Sequence, residues 1–383
     1  MPMSEDSYVE VSHEGWFSRI GSSFAGMIFG LVLLAIGVGM LWWNEGRSVK
    51  RAKALDEGIR AVVELGSVES VNSKMNGKLV HATGKADTEE ILNDAKFGVE
   101  TNALALRRHV EMFQWIEKKE KREDKEVGGG AKKKTFYSYD RGWRDERIKS
   151  EDFHKKEKYP NPPMPVEGSA QRAKAVSFGA YALPEGLVRK IKGEQAISPT
   201  EEMLEAAGSF HKEPKLDDGY IFLGKDVSTP TIGDLRIQFF QTPAATVSIL
   251  AEPTGNTFQP YTTSNGEELN ELAMGEVSSD EMFKNAKAVN TALTWGLRAG
   301  GFVLLLIGFN LIMGPLSVLA DIIPFLGNIV GGITFVVSMA LAAGTTSFVI
   351  AMAWIYYRPI IGVPLLVVTV GSFVSLFFLG KKR

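Results

Sequence analysis

The chain reads as an α+β membrane protein, with four transmembrane helices and a large β-rich extramembrane domain inserted between spans 1 and 2. Three observations predict this. Residues 299–379 are almost continuously apolar and divide at their breakers into three segments. A fourth apolar segment lies at residues 20–43. Between the blocks stands a polar stretch of roughly 250 residues, long enough to bury a core of its own. A bilayer core of about 30 Å takes roughly 20 apolar residues per helix, and each segment supplies them. Backbone groups have no water to bond in lipid, so helices are the form these segments must take.

Residues 1–19 read as a short acidic tail, carrying Glu5, Asp6, Glu10 and Glu14 against Arg19. Trp16 and Phe17 suit the membrane interface. The span at 20–43 is not read as a cleaved signal. Its leading region is acidic, and bulky Leu41-Trp42-Trp43 stands where cleavage needs small residues. Ser22, Gly26 and Gly30 recur every four residues, a ridge that lets helix backbones approach closely. Gly327 and Gly331 repeat the spacing in the third span. Such ridges serve either self-association or packing inside one bundle.

The extramembrane domain covers residues 44–297. Residues 45–55 continue the first span as helix. Strand patterns follow at 78–85 and, most clearly, at 104–116. There Leu104, Leu106, Arg108, Val110, Met112, Gln114 and Ile116 share one face, while Arg107, His109, Glu111, Phe113 and Trp115 share the other. Residues 117–134 mix acids and bases around Gly128-Gly129-Gly130 and read as a solvated hairpin tip. The partner strand returns at 135–148. Short helices are expected at 184–192 and 201–207, with strands at 220–224, 233–241, 245–252 and 258–262. Leu106-Arg107 and Leu235-Arg236 hold similar places, which suggests a duplicated β-unit, 78–148 and 220–262. Residues 279–298 read as helix running into the second span, 298–320. The third and fourth spans are set at 322–354 and 359–379, before a basic tail at 380–383.

Composition narrows the chemistry. A net charge of -2 offers nothing to nucleic acid. With no cysteine there is no disulfide and no thiolate chemistry. No Asn-X-Ser/Thr acceptor occurs either, and together these absences lean toward a bacterial source. Zincin, nucleophile-elbow, phosphate-loop and dinucleotide motifs are all missing. The five histidines show no metal spacing, so neither metal nor cofactor is expected. The weak catalytic candidates are Arg107, His109 and Glu111, an acid, an imidazole and a guanidinium on one strand face. A solvated face with cross-strand pairs is the plainer reading. Asn310, Asp321 and Arg358 are the polar residues of the membrane block. Asp321 precedes Pro324 and is expected to cap a helix, and Arg358-Pro359 marks the turn into the last span.

Several runs resemble the transmembrane protein 43 (LUMA) family. They are Trp43-Asn44-Glu45-Gly46-Arg47, Leu79-Val80-His81, Phe97-Gly98-Val99 and the ten residues 106–115. Tyr137-Ser138-Tyr139 with Trp143, Asn161-Pro162, Gly233-Asp234-Leu235-Arg236 and Tyr357-Arg358-Pro359 follow in the same order. The resemblance implies a four-span protein of the endoplasmic reticulum and inner nuclear membrane in eukaryotes, and of the inner membrane in bacteria. It further implies self-association and a scaffold for membrane-associated proteins, with no catalytic motif. Its topology puts both termini in the cytoplasm and the large domain across the membrane. Lys381-Lys382-Arg383 agrees with that, but Arg47, Lys50, Arg51 and Lys53 against Arg19 do not. The expected function is therefore a scaffold, homo-oligomeric in the bilayer. The alternative is a membrane-embedded enzyme or lipid-handling protein with its site at the domain–membrane junction.

Overall fold

The computed structural model describes residues 7–360. Nearly all of the fourth apolar segment, and the basic tail, lie outside the described residues. Five α-helices are described: α1 (Trp16–Ala61), α2 (Glu185–Val188), α3 (Glu201–Ala207), α4 (Ser279–Ala320) and α5 (Pro324–Tyr357). Among the described residues, α1, α4 and α5 are long and apolar enough to cross a bilayer. As expected, α1 runs on past residue 43, and α4 enters its apolar stretch without a break. The chain divides into a β-rich unit (residues 1–9, 57–120 and 136–283) and a helical unit (10–56, 121–135 and 284–383).

Two large sheets build the β-rich unit. In the first, strand Ala105–Lys125 pairs antiparallel with Leu235–Thr242, placing Met112 opposite Leu235 and Val110 opposite Ile237. The buried face of this sheet carries Leu106, Val110, Met112, Ile221, Leu235, Ile237 and Phe239, closed over by Met203 and Ala207 of α3. In the second, five strands close a ring. Val80–Asp87 pairs with Ala245–Thr254, which pairs with Thr257–Gln259, then Tyr181–Ala182, then Ser177–Phe178, and so back to Val80–Asp87. Closure leaves no open edge inside the ring, and Val80, Ala82, Phe178, Tyr181, Val247, Ile249 and Phe258 fill it. The regions 78–148 and 220–262 are thus interleaved, each giving strands to both sheets.

Two expectations change. Residues 7–14 are not tail: Ser7–Glu14 forms the strand at the edge of the first sheet, beside Ala131–Arg144. Tyr8, Val9 and Val11 carry strand preference that the nearby charges concealed. The Tyr8 ring meets Tyr139 and Tyr159 edge-on, at 6.1 and 6.5 Å. Nor is 117–134 one solvated tip. The strand continues through its charges to Lys125, and its partner begins at Ala131. Opposite charges pair across the hairpin, Lys118 with Asp140 at 2.9 Å and Lys134 with Asp124 at 2.7 Å. The turn is confined to residues 126–130, where Gly128 and Gly129 take φ of 92° and 84°.

Candidate functional site

The acid–base face found in the sequence is occupied by ion pairs. Arg107 grips Glu194 through Nε at 2.9 Å and a terminal nitrogen at 2.6 Å, and lies over the Phe240 ring. Glu111 accepts from Arg236 at 2.5 Å. His109 sits 3.8 Å from Glu111. Arg107 and His109 line an open cavity of about 950 Å³ whose wall holds both arginines and carboxylates. The Arg107 guanidinium holds the Glu194 carboxyl below its ordinary 4.5. A depressed carboxyl stabilises the fold above that pH and loses the contribution as pH falls, and partial exposure keeps the effect small.

The opposite face of the same strand hides a stronger group. Arg108 donates to both oxygens of Asp94, at 2.7 and 2.6 Å, and to the Glu167 carbonyl at 3.0 Å. Both side chains are nearly fully buried. The sequence placed Arg108 on that face without showing what it meets.

The helical unit has a buried polar cluster toward each end of its apolar stretch. At one end α1 presents Asn44, Glu45, Arg47 and Ser48. Arg298 of α4 forks onto Glu45 at 2.7 and 2.9 Å, and Trp354 of α5 donates to the same carboxylate at 2.8 Å. Arg47 donates to Asn290 at 2.9 Å and to Thr294 at 3.0 Å, while the Asn44 amide donates to the Thr294 carbonyl at 3.0 Å. Gly46 lies directly against the Tyr357 ring, where a Cβ would come within 2.7 Å. That contact gives the Trp43–Arg47 run a physical purpose. Arg358 closes α5 through its backbone N–H, which donates to the Trp354 carbonyl at 2.8 Å.

At the other end stands Asp321, 1% exposed. It is not a cap: α5 starts with no side-chain cap bond. Its two oxygens accept from Arg19 at 2.6 Å and Lys125 at 2.7 Å. Arg19 also donates to the Gly129 carbonyl at 2.6 Å and stands 3.3 Å from Glu123. A buried carboxylate requires such partners, and two cations on one carboxylate satisfy it. Arg19 and Glu45 are separated by about 39 Å along α1, from the helical rise, more than the thickness of a bilayer core.

The four glycines singled out in the sequence face their own chain. Gly30 packs on Gly308, a Cβ at 30 falling 2.7 Å from that carbonyl, and Gly26 faces Leu311. Gly327 leaves room for the Asp321 carboxylate, and Gly331 faces Ser317. Asn310 and Asp321 line one cavity of about 420 Å³ together with Ser22, Ser317 and Thr334. Among the described residues no three His, Asp or Glu converge as a metal site.

A family model described as Transmembrane protein 43 matches residues 112–359. Mouse Transmembrane protein 43 is 32% identical over 371 residues, covering 93% of this chain and 91% of the relative. The human protein of that name is 32% identical over 360 residues, covering 91% and 88%. A Drosophila melanogaster homolog is 29% identical over 354 residues, covering 91% and 93%. No solved structure matches the chain. The lean toward a bacterial source is not borne out, since these relatives are animal proteins.

Proposed function

The chain belongs to the transmembrane protein 43 family, and from that premise we propose that it is a multi-pass membrane scaffold that self-associates and presents its β-rich unit to membrane-associated proteins. One observation carries the reading: the sequence's best acid–base face is bound up in ion pairs of its own chain, Arg107 with Glu194 and Glu111 with Arg236. Polar residues in both units are likewise used to hold strands and helices together. Because Gly26, Gly30, Gly327 and Gly331 face intrachain neighbours, self-association falls to the exposed apolar faces of the bundle instead. In full the proposal has four spans, the β-rich unit between the first and second, and residence in the endoplasmic reticulum and inner nuclear membrane.

Light scattering on the full chain in mild detergent should give a multiple of the monomer mass. Replacing His109 and Glu111 together by alanine should leave that mass unchanged and cost under about 1 kcal/mol of stability, as partly exposed charges do. A monomeric chain, or a cellular phenotype lost while assembly persists, would sink the scaffold reading.

The β-rich unit on the side opposite the cytoplasm completes the proposed arrangement. Native cysteine is absent, so single thiols report cleanly. A thiol at Lys212 should react with a membrane-impermeant maleimide applied from the side opposite the cytoplasm. Labelling of Lys212 from the cytoplasmic side overturns this topology.

A further inference from the structure

The cavity beside Asp321 carries a charged and polar lining against an apolar helical stretch. It is lined by Arg19, Lys125 and Lys133 against Glu14, Glu123 and Asp321, three cations and three carboxylates. Lys133 pairs with Glu14 at the rim. Inward, the wall changes from charges to hydroxyls and an amide, from Ser22 and Ser317 to Asn310. Asn310 lies about 16 Å before Asp321 along α4, from the helical rise, and so stands well inside the apolar stretch. Pro315, inside α4, has no N–H to give, which leaves the Leu311 carbonyl without its helical partner, and Leu311 also lines the cavity. An amide, beside a carbonyl that Pro315 deprives of its i+4 donor, favours a polar occupant in an apolar span.

The charge balance selects that occupant. An anion alone would face three carboxylates, and a cation alone three positive groups. A ligand carrying both signs on one short frame meets both sets. Near these residues in the chain, Phe24 of α1, Leu316 and Leu319 of α4 and Ile322 of the following turn are exposed, an apolar surface suited to acyl chains. We propose that this cavity binds the phosphate–ammonium zwitterion of a phospholipid headgroup. The phosphate lies toward Lys125 and Lys133, the ammonium toward Glu14 and Glu123, and the ester region toward Ser317 and Asn310. This site lies in the helical unit and does not depend on self-association.

Native mass spectrometry of the full chain, offered equimolar phosphatidylcholine and phosphatidylglycerol in mixed micelles, tests the proposal. Phosphatidylcholine should be retained about tenfold over phosphatidylglycerol, a ratio worth about 1.4 kcal/mol. Asn310→Leu should lower phosphatidylcholine retention by about the same factor with the unfolding midpoint unchanged. Glu123→Lys, on the exposed hairpin, makes the lining net positive and should swing the preference toward phosphatidylglycerol. Soluble glycerophosphocholine separates the sources of the chemistry. Competition at concentrations similar to the lipid's makes the free zwitterion a ligand, and failure to compete assigns the site to the lipid. Equal retention of both lipids by the native chain overturns the proposal, and so does retention indifferent to both substitutions.

Discussion

Arg298→Ala should be among the most damaging single substitutions in the helical unit, lowering stability by about 3–5 kcal/mol. The reason lies in what it leaves behind. Glu45 is 1% exposed and accepts two hydrogen bonds from Arg298. Without the guanidinium its carboxylate keeps the Trp354 indole N–H and loses its counter-charge. An ion left unpaired in so dry a site costs far more than an exposed one. Three helices meet at this carboxylate, so the loss is shared by α1, α4 and α5. Glu45→Gln should cost less, because an amide oxygen still accepts from Trp354 and the charge left over is that of the more exposed Arg298, 14% against 1% for Glu45. Changing both partners to apolar residues of similar size should recover much of the loss, since a desolvated pair contributes little over a well-packed apolar one. Tryptophan fluorescence during thermal unfolding in detergent reads all three variants, and Trp354 itself reports on the cluster. An Arg298→Ala protein as stable as Glu45→Gln would show that Glu45 does not depend on its pair.

What could be read from the sequence follows from the range of the forces involved. Apolar length is a local property, so α1, α4 and α5 were legible, and so was the continuation of α1 past Trp43. Alternation is local too, and it separated the Arg107 face from the Arg108 face correctly. It did not reveal which arginine mattered more, because a core face is expected to be apolar and this one carries Arg108 and Gln114. The decisive partners are distant. Asp321 bonds Arg19 across 302 positions, and Glu45 bonds Arg298 across 253. No local pattern announces such pairs, so Asp321 read as a cap and Glu45 as an ordinary helical acid. The hairpin failed for another reason. Charge density suggested solvation, yet charges of opposite sign facing across two strands are compatible with a regular ladder.

Arg108→Ala is the matching test in the β-rich unit, with an expected loss of about 3–5 kcal/mol. Arg108 and Asp94 are 6% and 4% exposed, on strands joined through the main core. Removing the guanidinium leaves Asp94 with a Lys96 backbone N–H at 3.2 Å and the Ser169 hydroxyl at 3.3 Å, both long bonds and neither a charge. The Glu167 carbonyl loses its donor as well. Lysine should not restore the loss. Its one ammonium has no second nitrogen to reach that carbonyl while it meets Asp94, and it does not reproduce the guanidinium placed 5.5 Å from the Phe97 ring centroid. Asp94→Asn should be milder than Asp94→Ala, because it keeps an acceptor. The neighbouring Arg107→Ala gives the internal control. It removes an equally short bidentate pair from a side chain that is 35% exposed, and should cost about 1 kcal/mol or less. Two arginines one residue apart, each holding a carboxylate by two short contacts, thus differ chiefly in burial and in the Glu167 carbonyl that Arg108 also bonds. Equal losses at the two positions in chemical denaturation would mean that burial is not what sets the strength of these pairs.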